Sequence, residues 1–124
     1  MINFTNIRQH FHQYHENKSL WAYGYCKNIK DRPEIYKHIN DSWDAYLYCL
    51  SIKDRPQIRQ YITDSNDALW YCKDVKDRPE MRKLITDSYW AYFYCRAVKD
   101  RPEVRKYITE EDHLQYYQDW KDEQ

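Results

Sequence analysis

Residues 42–64 read SWDAYLYCLSIKDRPQIRQYITD, and this stretch decides the fold because the chain repeats its pattern. Similar stretches occupy residues 19–41, 65–87 and 88–110, so the period is 23 residues. Each copy begins with serine and carries one cysteine and one proline at fixed places. Self-similarity at a fixed period of this size is the signature of a repeat architecture, in which each copy is one supersecondary unit.

The first half of each repeat predicts a helix of about 11 residues. The spacing i, i+3, i+4 and i+7 places four side chains of residues 42–64 on one helical face. These are Ala45, Tyr48, Cys49 and Ile52. We expect this face to form the core of each layer. The alanine allows close approach of helices, so a large residue in its place should overpack the layer.

The second half of each repeat predicts a shorter helix, of about eight residues, after the sequence Lys-Asp-Arg-Pro. Proline and the residue before it interrupt a helix, so the first helix is expected to end at Lys53-Asp54. Asp54 is then predicted to cap the second helix, with Gln57 completing a capping box. The Thr-Asp-Ser sequence at 63–65 is expected to cap the first helix of the next repeat.

The repeats and the diverged ends predict one all-α domain over residues 1–124, an α-solenoid of four helix-turn-helix repeats with capping helices. Residues 1–18 are predicted as the N-terminal cap, with a helix over 4–16. Its apolar stripe is Phe4, Ile7, Phe11 and Tyr14. Residues 111–124 are predicted as the C-terminal cap, and its apolar residues are Leu114, Tyr117 and Trp120.

The composition excludes several classes of protein. Lys and Arg number 20, and so do Asp and Glu, so the zero net charge fits neither a strongly basic DNA coat nor an acidic nucleic-acid mimic. The single glycine excludes a glycine-rich phosphate loop. No apolar run is long enough to span a membrane, and the first residues lack the apolar stretch of a secretory signal. We therefore expect a cytoplasmic protein with no membrane partner.

The sequences AYLYC at 45–49 and KDRPQI at 53–58, with their equivalents in each repeat, carry a resemblance. The chain resembles a class of two-helix repeats of about 23 to 25 residues that occurs in uncharacterised bacterial and phage proteins. Those repeats join an Ala/Tyr-rich helix to a second apolar helix through a basic corner. The resemblance covers residues 19–110, with cysteine in place of the usual alanine. It implies a helical repeat fold and carries over no catalytic residue.

Neither the cysteines nor the histidines predict a metal site. Metal sites usually place two cysteines a few residues apart, whereas these four stand one per repeat on the face expected to be buried. The three clustered histidines, His10, His12 and His15, have no acidic or cysteine partner nearby and are expected at the surface. Polar residues recur in every repeat, whereas an active site needs a unique constellation. We expect no enzyme, no catalytic residue, no metal and no cofactor.

The corner between the helices gives each repeat a lysine and an arginine. The six in the last three repeats are Lys53, Arg55, Lys76, Arg78, Lys99 and Arg101. An aspartate lies between the two in every corner, which favours salt bridges that tie neighbouring repeats together. The alternative is contact with nucleic-acid phosphates or an acidic partner along this basic edge.

Positions where the repeats disagree are candidates for recognition, because stacking does not dictate them. Large apolar residues at such positions define an aromatic ridge on the first helices, which consists of Trp43, Leu47, Trp70, Tyr89, Trp90 and Phe93. Exposed together, they form a larger apolar patch than a solitary monomer usually shows. The alternative is that the first helices are buried on two faces and the ridge is a wide core.

The function predicted from the sequence is non-catalytic binding of another protein through the aromatic ridge. By analogy, the small size, repeat class and composition suit a phage or mobile-element inhibitor of a bacterial defence complex, such as an anti-CRISPR. One alternative is a nucleic-acid-binding α-solenoid that uses the Lys/Arg corner. Self-association as a homo-oligomer through the same ridge is a further alternative, and an enzyme would need a polar cleft that does not repeat.

Overall fold

The structure is a computed structural model that describes residues 17–124, and over this range every regular element is helical. In chain order, the first four helices are α1 (Lys18–Asn28), α2 (Pro33–Tyr36), α3 (Ser42–Ser51) and α4 (Pro56–Arg59). They are followed by α5 (Ser65–Asp74), α6 (Pro79–Arg82), α7 (Ser88–Ala97), α8 (Pro102–Arg105) and α9 (Glu111–Asp122). The predicted N-terminal helix over 4–16 and the three clustered histidines lie outside the described residues.

Contacts within the chain group it into two compact units, Met1–Ile62 and Thr63–Gln124. In the first unit, α1 packs on α3, and each of these long helices packs on the short helix that follows it. In the second unit, α5 packs on α7 and α7 packs on α9, again with the short helices alongside. Each unit therefore repeats one arrangement, a long helix followed by a short one, at the 23-residue step of the sequence. The single domain over residues 1–124 stays a prediction.

The long helices confirm the predicted first helix of each repeat, whereas the second helix is shorter than expected. The long helices of the four repeats have 10 or 11 residues. Each second helix is a single turn of four residues that begins at its proline. Proline suits this first position, since its fixed φ matches the helix and no partner is needed there for a backbone N–H. Backbone hydrogen bonds to the carbonyl three residues earlier continue the turn beyond its fourth residue. After α4, for example, the Tyr61 N–H donates to the Ile58 C=O over 3.0 Å.

The core contains the predicted alanine, tyrosine and cysteine of the long helices. In α3, Ala45 and Tyr48 are fully buried and Cys49 nearly so. The predicted fourth member, Ile52, is only half-buried because α3 ends at Ser51 and Ile52 already lies at its C-cap. The buried face gains Tyr46 instead. Its equivalents Tyr23, Leu69 and Tyr92 are buried as well.

Serine hydroxyls join the first residue of a repeat to the end of the same repeat. Ser19 at the start of α1 accepts hydrogen bonds from the backbone N–H groups of Asn40 and Asp41, both over 3.1 Å. Ser88 of α7 does the same for Thr109 and Glu110, over 3.1 Å and 3.0 Å. The serine that opens one repeat thus binds the backbone that leads into the next long helix. This satisfies donors that would otherwise be left without partners at the helix start.

The predicted caps of the long helices are confirmed for two aspartates, and the predicted caps of the short helices are wrong. Asp41 accepts from the Asp44 N–H over 3.0 Å, and Asp87 accepts from the N–H groups of Tyr89 and Trp90. At the short helix α4, however, the N-cap is Arg55, and its side chain makes no capping bond. The carboxylate of Asp54 instead accepts from Arg59 Nε over 3.0 Å. An ion pair has replaced the expected capping box.

The last helix, α9, confirms the predicted helical C-terminal segment. None of its residues is buried, and Leu114, in the place of the core alanine, is 48% exposed. Tyr117 holds the place of the buried tyrosine and is half-buried. Among the helices at 17–124, none has both the length and the apolar character that crossing a membrane requires.

Candidate functional site

Four of the six ridge residues form an aromatic cluster in the second unit. Trp70 lies on α5, and Tyr89, Trp90 and Phe93 lie on α7. The ring of Trp70 lies 5.7 Å from Phe93 and 6.5 Å from Trp90, measured between ring centroids. On α7 itself, Trp90 lies 5.0 Å from Tyr89 and 6.1 Å from Phe93. Helical spacing on α7 and the packing of α5 on α7 bring the four rings into one contiguous patch.

This aromatic cluster is partly open to solvent. Tyr89 is 40% exposed, and Trp70, Trp90 and Phe93 are half-buried. In contrast, Tyr94, on the same helix but at a position that does not vary between repeats, is 0% exposed. The cluster therefore lies at the surface, beside the core, and the interpretation of the ridge as sealed core does not fit these four residues.

The other two ridge residues belong to the first unit. Trp43 is 44% exposed and packs on Tyr46 with 5.0 Å between ring centroids. Leu47, one turn further along α3, is half-buried. Leu20 and Leu50 are also exposed on this unit. Each unit thus presents large apolar side chains on its long helices.

A groove of about 620 Å³ adjoins the aromatic cluster between α7 and α9. Its lining consists of Tyr89, Tyr92, Phe93, Arg96, Ala97 and Tyr116. Four of these, Tyr92, Arg96, Ala97 and Tyr116, are not among the site residues predicted from the sequence. The 23-residue step gives the missing signal for Tyr116, since it stands one period after Phe93, itself one period after Trp70. Tyr116 is 47% exposed, and its ring lies 5.8 Å from Tyr92.

The arginines of the basic corner contact side chains of their own molecule. Arg55 donates from Nε to the hydroxyl of Tyr48 over 2.8 Å and from Nη2 to the carboxylate of Asp31 over 3.0 Å. In the second unit, Arg101 contacts Tyr94 and Asp77 in the same way, over 3.0 Å and 3.2 Å. The interpretation of these arginines as salt bridges between repeats is therefore confirmed.

The third predicted corner arginine is held in part by its own repeat. Arg78 donates from Nε to the hydroxyl of Tyr71 over 2.7 Å, and its Nη1 lies 4.0 Å from Glu80. The three lysines, Lys53, Lys76 and Lys99, are exposed. Over residues 17–124 none of these lysines has an ion pair. The three lysines of the corner are thus exposed, while Arg55, Arg78 and Arg101 bond to side chains of the same molecule.

The four cysteines are core residues. All four are free thiols inside the core. Burial raises the pKa of Cys49 and Cys72 to about 12, and that of Cys26 and Cys95 to about 11. Thiols in this state are poor nucleophiles and poor metal ligands. Within the described range, no three residues of the His, Cys, Asp and Glu types are grouped so as to hold a metal ion.

Comparison with known proteins gives no relative. No family model matches the chain, and neither the curated proteins nor the solved structures contain a match to it.

Proposed function

We propose that this protein is a non-catalytic binding module that recognises another protein through the aromatic cluster of Trp70, Tyr89, Trp90 and Phe93. One observation carries the proposal. Four large aromatic side chains form a contiguous, partly exposed patch at positions that the core does not require. Of the equivalent residues in the first repeat, Leu20, Trp21 and Gly24, only Trp21 is aromatic, so the repeat pattern does not impose the whole cluster.

The physical basis of the proposal is the free energy of covering aromatic surface. Aromatic side chains bury large areas with few rotatable bonds, and they are enriched among the residues that dominate binding free energies. Contiguous apolar patches on a monomer are commonly binding surfaces. Charged side chains beside the cluster, such as Lys73 and Arg96, supply the polar rim that orients a partner.

The architecture that we propose for the binding module is an α-solenoid. The sequence keeps the same 23-residue step through residues 62–65 as at the other repeat boundaries. Stacked repeats of this kind present one side of every first helix to a partner. We also propose a cytoplasmic location. The action as an inhibitor of a bacterial defence complex stays a prediction.

Nucleic-acid binding through the basic corner is the alternative. A phosphate-binding edge needs cations that are available to the backbone, but Arg55 and Arg101 are bonded to tyrosine and aspartate. The exposed Lys53, Lys76 and Lys99 remain for this role. Three lysines on a chain of zero net charge make a weak electrostatic footprint.

The test compares the proteins captured by immobilised wild type and by the variants Trp70→Ala, Phe93→Ala and Tyr61→Ala. Tyr61 is a matched control, because it is 37% exposed, follows α4 in sequence and does not belong to a long helix. We expect a partner that wild type and Tyr61→Ala retain in high salt and that both cluster variants lose. Circular dichroism of each variant establishes that its helices are intact.

Two results contradict this proposal. One is a partner that elutes steeply with salt and is lost when Lys53, Lys76 and Lys99 are replaced by Gln, which assigns binding to the corner. The other is a large loss of helicity in Trp70→Ala and Phe93→Ala, with retention of every partner by the fraction that still folds.

A further inference from the structure

The groove between α7 and α9 combines apolar walls with one cation. Of its six lining residues, Tyr89, Phe93 and Tyr116 supply aromatic surface, and Arg96 is the charged member. Arg96 is exposed, and over residues 17–124 it forms no ion pair. None of the lining residues is acidic. Arg96 is therefore a cation beside the groove that has no ion-pair partner among the described residues.

We propose that the groove binds a protein segment in which an Asp or Glu side chain stands beside a large apolar side chain, with Arg96 binding the carboxylate. This inference rests on the proposed function and names the partner chemistry of the same surface. The groove is continuous with the aromatic cluster, since Tyr89 and Phe93 belong to both. The partner's apolar side chain enters between the rings while its carboxylate meets the guanidinium.

The guanidinium of Arg96 is held in place before any partner arrives. Its Nη1 donates to the hydroxyl of Tyr92 over 2.8 Å. A guanidinium has five N–H donors in a planar fork, so this bond leaves others for a carboxylate, which arginine binds through two parallel hydrogen bonds. Tyr92 is itself buried, and its ring lies 5.8 Å from Tyr116. The cation is thus anchored on the core helix rather than free to sample solvent.

The apolar walls have room for a large side chain. The volume of about 620 Å³ exceeds that of any one amino-acid side chain, so an aliphatic or aromatic anchor and part of its backbone fit. Ala97, the small member of the lining, keeps the groove open beside Arg96. One anchor and one charge side by side give the groove a preference for sequence as well as for apolar surface.

Lys73 is a second cation on the same surface. The Nζ of Lys73 on α5 lies 5.4 Å from the centroid of the Trp70 ring, and it is also 3.5 Å from the carboxylate of Asp74. Its charge is therefore partly compensated, and Arg96 remains the stronger site for a carboxylate. An acidic segment lying across α5 and α7 would meet both cations.

The packing of the rings favours a protein segment over a single-stranded nucleic acid. Bases stack on exposed flat aromatic faces. Here Trp90 meets Tyr89 at 80° and Trp70 at 62°, so the rings pack edge to face on one another. Such a surface is uneven and suits branched side chains better than stacked bases.

The experiment selects binders from a library of short random peptides with three full-length proteins, wild type, Arg96→Glu and Lys27→Glu. Lys27 is the matched control, because it holds the place of Arg96 in the first repeat and lies 5.8 Å above the Tyr23 ring, where Gly24 replaces the aromatic residue. We expect wild type and Lys27→Glu to select peptides with an acidic residue next to a large apolar one. Arg96→Glu should select basic residues there instead.

A selected peptide then gives the size of the effect. Its affinity should fall about tenfold or more with Arg96→Ala, as expected for the loss of a charge-assisted hydrogen bond, and should be unchanged with Lys27→Ala. Peptides without an acidic residue, an absence of binders, or a consensus that Arg96→Glu leaves unchanged would overturn the inference alone. The same selection is also run with Phe93→Ala, and if this variant selects the same peptides as wild type, the proposed function is overturned as well.

Wild type, Arg96→Glu and Lys27→Glu are also titrated with a labelled single-stranded oligonucleotide. We expect no binding at physiological salt. Binding that Arg96→Glu abolishes and Lys27→Glu retains would assign the groove to nucleic acid and would overturn the inference.

Discussion

The hydroxyl of Tyr94 donates to the carboxylate of Asp77 in the preceding repeat, with both oxygens of the carboxylate 2.8 Å away. Tyr48 and Asp31 form the same bond in the first unit over 2.6 Å. In the second unit the aspartate also accepts from Arg82 of its own repeat, over 3.0 Å. One carboxylate thus accepts hydrogen bonds from two repeats. Because the same bond to tyrosine recurs in both units, the corner aspartate has a structural role between layers.

Removal of the Tyr94 hydroxyl should destabilise the fold. Tyr94→Phe keeps the ring in the core but takes a donor from a partly buried carboxylate, so we expect the free energy of unfolding to fall by about 1 to 2 kcal/mol. Urea denaturation measures this change. Tyr61→Phe is the control, since Tyr61 is exposed, and it should change the free energy by much less. Equal effects of the two substitutions would show that the hydrogen bond to Asp77 contributes nothing.

The free energy of unfolding should fall in acid, where Asp77 loses its charge. Partial burial raises its pKa, but hydrogen bonds from Tyr94 and Arg82 and the charge of Arg101 outweigh this effect, and the pKa lies below the usual value. Because the pKa of this carboxyl is lower in the folded state, its charge stabilises the fold at pH values above the pKa of an aspartate in the unfolded chain, about 4. This stabilisation is lost as the pH falls through the folded-state pKa.

The measurement compares wild type with Asp77→Asn by denaturation from neutral pH to about pH 2. Wild type should be the more stable at neutral pH, and the difference should shrink in acid. Asp112→Asn, at an exposed carboxylate on α9, is the control and should give a small difference at every pH. A wild-type advantage that persists unchanged at the lowest pH would contradict the role given to Asp77.

The alanine of each long helix sets how closely the helices pack. Ala91 on α7 is fully buried, whereas Ala97 on the same helix is exposed. Ala91→Leu should overpack the layer and lower the free energy of unfolding by about 1 to 3 kcal/mol. Ala97→Leu adds the same atoms to the same helix and should have little effect. Thermal or urea unfolding of the pair tests this, and tolerance of leucine at position 91 would mean that the layer is not tightly packed.

The thiols should be unreactive in the native protein. Burial raises the pKa of Cys49 and Cys72 to about 12, so the thiolate fraction near pH 8 is very small, and the side chains are inaccessible. Ellman's reagent should therefore react slowly with the folded protein and with all four cysteines once urea unfolds it. Rapid reaction of a thiol before unfolding would show that the core opens locally at that repeat.

The helical period could be predicted from sequence because it depends on local spacing. The positions of Ala45, Tyr48 and Cys49 on one face follow from helix geometry alone, and the structure buries all three. Proline marked the start of each short helix for an equally local reason. Tyr46 was missed because the long helix is buried over a wider arc than the predicted stripe.

The role of the corner aspartate could not be predicted because its partners are distant in sequence. Tyr94 and Arg101 lie 17 and 24 residues after Asp77, so only the packing of one repeat on the next brings them together. A local capping rule therefore gave the wrong partner for Asp54, its equivalent. Exposure of the aromatic ridge was undecided from sequence for the same reason, since burial depends on neighbouring layers.

The central claim is that invariant positions build the scaffold while varying positions recognise a partner. Two tyrosines of α7 test it most directly, because Tyr94 is buried and invariant whereas Tyr89 is 40% exposed and varies between repeats. The measurement is the affinity of Tyr89→Ala and Tyr94→Phe for a partner recovered with wild type, under conditions where both variants are folded. The account predicts a loss of about tenfold or more for Tyr89→Ala and wild-type affinity for Tyr94→Phe. Unchanged binding by Tyr89→Ala, or an equal loss in both variants, would contradict it.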